Sequence, residues 1–166
     1  LVELERRAGD PEPRRSLRLE LARLDETVRG KPEDAEVWFK RMVKADPEDV
    51  EAREGLRRVY RRAQRWNELL AILTEDSARL EGMARADLLY EIARLSIDHL
   101  DDPGRARVAL EEIRTIQPDR PMALRELLAL YEAAASWEEA AITARALAGL
   151  SSDPREKLLL LHRLGL

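Results

Sequence analysis

The segment Leu56–Trp66, LRRVYRRAQRW, carries five arginines in eleven residues, yet its apolar residues keep a strict spacing. Leu56, Val59, Tyr60, Ala63 and Trp66 fall at i, i+3, i+4, i+7 and i+10, the stripe that an α-helix turns toward its neighbours. Arg57, Arg58, Arg61, Arg62 and Arg65 take the rest of the circumference. Seventy-one residues later the chain reads LLALYEAAASW, Leu127–Trp137, which keeps the first leucine, the tyrosine, an alanine and the tryptophan in register but none of the arginines. What recurs is the packing stripe, so the arginines are a local addition to a repeating element.

The same offset of 71 places Pro32 on Pro103, Ala35 on Ala106, Pro47 on Pro118, Ala52 on Ala123 and Glu68 on Glu139. Upstream, Leu17 falls on Leu88 and Ala22-Arg23-Leu24 on Ala93-Arg94-Leu95. Helical spacing of apolar residues runs through the chain, and no segment alternates as a strand would. Short breaks containing Gly30-Lys31-Pro32, Asp46-Pro47, Asp101-Asp102-Pro103-Gly104, Gln117-Pro118 and Ser151-Ser152-Asp153-Pro154 separate the helices, because proline lacks the donor that a helix interior needs. Each block of 71 residues holds four helices, or two helix pairs of about 34 to 37 residues.

Within these units Ala35-x3-Phe39 followed by Pro47, and Ala106-x3-Leu110 followed by Pro118, sit in the second helices. Leu56-x3-Tyr60 and Leu127-x3-Tyr131 sit in first helices, with Ile92-Ala93 and Leu164-Gly165 at the leucine–small-residue position. The chain resembles the tetratricopeptide repeat family on these motifs, over nearly its whole length. It departs from the pattern at Arg57 and Leu128, where a small residue is usual, and at Arg53 and Leu124, which replace tryptophan. The resemblance implies an all-α, right-handed solenoid of stacked antiparallel helix pairs near residues 13–45, 50–80, 84–116 and 120–150. Partial helices are expected over 1–9 and 153–166, as in a single array cut from a longer protein.

The composition narrows the function. Of 29 cationic residues only Lys31, Lys40, Lys44 and Lys157 are lysines, and the net charge is −4, which argues against general affinity for nucleic acid. There is no cysteine for a disulfide or thiolate metal site, and the longest apolar runs, such as Leu158–Leu161, are too short to span a bilayer. Gly30-Lys31 lacks the earlier glycine and the following hydroxyl of a phosphate loop. His99 and His162 have no companion ligand at metal spacing. Paired carboxylates such as Glu111-Glu112 and Glu138-Glu139 read as solvated helix faces, and Trp66 and Trp137 as packing residues between helices. Neither an enzymatic activity nor a cofactor is expected, and the compartment is open.

In tetratricopeptide arrays the first helix of each pair lines the concave face, where members of the family bind peptide segments. The resemblance therefore directs attention to Arg23, Arg58 and Arg94, which are equivalent on successive first helices, with Arg61, Arg62, Tyr90 and Arg125 nearby. Such a row would offer planar forks to carboxylates. Glu20, Glu54, Glu91 and Glu126 lie on the same helices and could instead neutralise it. Self-paired charge weighs heaviest, a groove for an acidic peptide next and nucleic acid least. Chaperone-tail clamps of this family use asparagines and lysines, and Asn67 is the only asparagine. The expected role is a noncatalytic scaffold for a protein or peptide. The alternative is a structural spacer or self-assembly element, with homo-oligomers forming through uncapped ends.

Overall fold

A computed structural model describes residues 11–162 except 28 and 30, so the helix expected over 1–9 lies outside the described residues. Nine helices, and no strand, make up the described chain. They are α1 (Pro11–Thr27), α2 (Pro32–Ala45), α3 (Val50–Arg62), α4 (Trp66–Ser77), α5 (Gly82–Asp98), α6 (Pro103–Ile116), α7 (Pro121–Ala133), α8 (Trp137–Leu150) and α9 (Pro154–His162). Proline opens α2, α6 and α7, where its missing donor costs nothing because the first helical amides have no partner within the helix. Asp49 caps α3 by accepting the Ala52 amide at 3.1 Å, and Asp102 caps α6 by accepting that of Arg105 at 2.9 Å.

The chain divides into two compact units, Leu1–Ile72 and Leu73–Leu166, with the boundary inside α4. In the first unit α1 packs on α2 and α2 on α3, around Leu21, Trp38, Phe39, Met42, Leu56, Val59 and Tyr60. In the second unit each helix from α5 to α9 packs on the next, around Leu89, Ile92, Leu110, Ile113, Leu124, Leu127 and Tyr131. Within each unit the short links favour packing of the helices they join, and each fully buried large aliphatic side chain contributes about 1.5–3 kcal/mol of transfer free energy.

Repeat-equivalent residues occupy equivalent environments. Ala35 and Ala106, Phe39 and Leu110, Ala52 and Ala123, Leu56 and Leu127, and Tyr60 and Tyr131 are all buried. The small-residue contact that the repeat pattern would place at position 57 is displaced to Gly55, where an added Cβ would overlap the Phe39 ring. Arg57 is thereby left at the helix margin, with its side chain 18% exposed and 3.8 Å from Glu54. Arg53, in the place of the usual tryptophan, is also buried and donates from its guanidinium to the Pro47 carbonyl at 3.3 Å.

The turns after α3 and α7 are built alike. Gln64 and Ala135, again 71 apart, adopt left-handed φ of 55° and 53°. The amides of Arg65 and Ser136 donate to the carbonyls of Tyr60 and Tyr131 at 2.9 and 2.8 Å, and those of Gln64 and Ala135 to Arg61 and Glu132. This is the Schellman closure, made here without glycine. The turn exposes Trp137 to 60%, so the packing role expected for it does not hold, whereas Trp66 is half-buried.

Candidate functional site

The arginines singled out lie on α1, α3, α5 and α7, and most of their guanidinium groups meet a carboxylate of another helix. In the first unit Arg58 of α3 makes two bonds to Glu26 of α1, Nε to Oε1 at 3.3 Å and Nη2 to Oε2 at 3.2 Å. Arg62, one turn on, donates to the Glu26 backbone carbonyl at 3.5 Å. Arg23 of α1 pairs with Glu51 of α3. Arg61 lies exposed beside Arg62 on α3. Arg58 also stands over the Phe39 ring, 6.0 Å from its centre.

In the second unit Arg94 of α5 donates to Glu126 of α7 at 2.8 Å and to Asp98 of its own helix at 2.8 Å. Arg125 of α7 donates to Glu156 of α9 at 2.9 Å. Tyr90 is half-buried beneath the Arg120 guanidinium, 5.3 Å from the ring centre, and Arg120 pairs with Asp87 at 2.9 Å. Ladders of ion pairs thus join successive first helices within each unit.

Of the first-helix glutamates named above, Glu126 receives an arginine of the preceding repeat, whereas Glu54 lies 3.8 Å from Arg57 of its own helix. Glu26, Glu51 and Glu156 are the partners that motif reading passed over. The signal for them was separation: the ion pairs joining first helices are 28 to 36 residues apart, close to the length of one repeat. A search for opposite charges one repeat apart would have found them.

One ion pair differs in kind. Arg15 of α1 grips Asp49 through Nε at 2.6 Å and Nη2 at 2.9 Å, and also reaches Glu51 at 3.3 Å. The Asp49 side chain is 1% exposed. Burial alone would push its carboxyl up, but the Arg15 bonds, the Ala52 amide and the positive charge outweigh burial and hold it below the ordinary carboxylate range. Glu156 is held low by the bond from Ser151 and then by Arg125, Glu68 by Arg65, and Asp102 by the Arg105 amide and side chain. Each of these carboxylates is thereby kept ionised. Asp25, also buried, accepts from the Trp38 indole at 3.0 Å and from Arg29 at 2.9 Å, and so ties α1 to α2.

Among the described residues, no helix is long and apolar enough to cross a membrane. The helix order and packing define an all-α tetratricopeptide-like repeat fold, and solved structures share it. MamA AMB-1 is similar at 16% identity with a TM-score of 0.62, matching 95% of this chain and 86% of its own. YrrB, described as a TPR protein with an unusual peptide-binding site, is similar at 16% identity and a TM-score of 0.59, over 97% of this chain and 81% of its own. PilF of Pseudomonas aeruginosa is similar at 18% identity and a TM-score of 0.52, over 90% and 82%. No protein-family model and no curated protein matches the sequence.

Proposed function

We propose that this chain is a noncatalytic interaction scaffold that holds an acidic peptide or protein segment against its first helices. In the first unit the contacts would come from Arg23, Arg58, Arg61 and Arg62; in the second, taken by itself, the candidates are Tyr90, Arg94 and Arg125. The observation that carries the reading is α3, where Arg58, Arg61 and Arg62 are all exposed at i, i+3 and i+4, a single stripe of guanidinium forks. Fork geometry suits bidentate contact with carboxylates. The likeness to YrrB supports a protein-binding role, since that protein is described as having a peptide-binding site. Among the described residues, Asp49, Glu68, Asp102 and Glu156 are carboxylates held low by their partners, and so serve as fixed anionic partners for arginine or helix-end amides.

The test is fluorescence anisotropy with a labelled decaglutamate peptide at low salt. Wild type binds it, and the triple variant Arg58→Ala, Arg61→Ala, Arg62→Ala, checked for helicity by circular dichroism, binds at least about tenfold more weakly. Undiminished binding by a folded triple variant would remove the arginine stripe from the reading. A second reading, a spacer or self-assembly element, draws on Leu158 and Leu159 of α9, which are 68% and 71% exposed. Sedimentation showing a monomer at all accessible concentrations would set it aside.

A further inference from the structure

We infer that the arginine stripe of the first unit is gated by an internal carboxylate: Glu26 occupies the guanidinium group an acidic ligand would take, and the ligand binds by exchanging with it. The inference rests on the function proposed above and concerns how that same surface is regulated. Glu26 sits in the last turn of α1, where the negative end of the helix dipole makes a carboxylate the unfavourable choice. It is held there from outside the helix, by the Arg58 fork and by the Arg62 contact to its backbone carbonyl. The arrangement of Arg58 on Glu26 is the one a ligand carboxylate would adopt, two nearly parallel N–H bonds to two oxygens.

The pair is also built to open. Its bonds of 3.2 and 3.3 Å are long for charge-assisted contacts, and the Arg58 side chain is 49% exposed. The Arg15–Asp49 pair between the same two helices is tighter, with bonds of 2.6 and 2.9 Å to a carboxylate 1% exposed, where the Glu26 carboxylate is 15% exposed. That second clamp holds α1 to α3 whether or not Arg58 is occupied. At the equivalent positions of the second unit both partners are missing together, since Ile97 stands for Glu26 and Ala129 for Arg58. Carboxylate and arginine therefore form one device, confined to the part of the chain that carries the exposed stripe.

The experiment titrates the labelled decaglutamate peptide into wild type, Glu26→Gln and the charge-matched control Glu20→Gln, whose carboxylate is exposed on the same helix. Freeing Arg58 from an exposed pair is expected to tighten binding about two- to fivefold in Glu26→Gln, with Glu20→Gln close to wild type. Glu26→Asp, too short to span the contact but still charged, tightens binding to a smaller extent, and it serves as the probe should Glu26→Gln lose helicity. Equal tightening in Glu20→Gln, or affinity in the Glu26 variants unchanged or weaker, overturns the gate while leaving the proposed function standing. Absence of binding by every protein in the series overturns the proposed function, and the gate with it.

Discussion

Tyr60 and Tyr131 are equivalent residues, and each hydroxyl meets a side chain of the preceding second helix at equivalent positions, Lys40 and Glu111. The first bond has a lysine partner and the second a carboxylate accepting at 2.9 Å, so one buried hydroxyl is satisfied by opposite charges in the two units. Burial pushes both phenols above their ordinary value. In Tyr131 the bond to Glu111 and its charge push further, whereas in Tyr60 Lys40 pulls back. A phenol raised in the fold contributes stability that is fully present below its unfolded value, about 10, and is lost as pH rises through the native value. We predict that the urea midpoint falls as pH is raised from about 9 to about 11 and that Tyr131→Phe flattens the fall; an identical alkaline slope in the variant would refute the assignment. At neutral pH the same variant costs about 0.5–1.5 kcal/mol, the net worth of one hydrogen bond.

At the scale of the element, the two turns after α3 and α7 close through non-glycine residues in the left-handed region. Such a residue is strained by about 1–2 kcal/mol, and glycine there gives back about 0.5–1 kcal/mol in chain entropy. Gln64→Gly and Ala135→Gly should therefore each raise the melting temperature by about 1–4 °C, as followed by circular dichroism. Lowered melting temperatures would mean that the present side chains make contacts worth more than the strain. The α2–α3 contact gives the opposite expectation for adding a methyl group. Gly55→Ala gains about 1 kcal/mol of helix propensity but overpacks Phe39, a cost of about 1–3 kcal/mol, so a net loss on the order of 1 kcal/mol is expected. Phe39→Leu should relieve it in the double variant, because Leu110 at the equivalent position packs where Glu126 replaces Gly55. Additive losses in urea denaturation would show the two residues to be uncoupled. The stripe and the prolines made the helices legible in advance. The displaced small residue was not legible, because a glycine one place before a leucine has no distinguishing pattern until the opposing aromatic ring is located.

For the molecule as a whole, 37% charged residues and a net charge of −4 set two effects against each other. Salt weakens the ion pairs, each worth about 0.2–1 kcal/mol when exposed, and it also relieves net repulsion. The pairs lie at about 3 Å, whereas the excess of four charges is spread over 166 residues, so the pairs dominate. Raising sodium chloride from about 0.05 to about 0.5 M is expected to lower the melting temperature by a few degrees. A rise would mean that self-repulsion governs.

An all-α repeat was legible because its evidence is periodic: residues 3 or 4 apart share a helix face, and residues 71 apart share a place in the repeat. The first-helix arginines could be located for the same reason. Their partners could not, because Glu26, Glu51 and Glu156 meet their arginines across helices, and only the angle and register of packing decide which charges 28 to 36 residues apart come within reach. Sequence alone determined the helices of the described residues and the concentration of arginine on α3. Tertiary structure decided which guanidinium groups are clamped by a fully buried carboxylate and which are held by a partly buried one over longer bonds, since burial and bond length are properties of packing and leave no periodic trace along the chain.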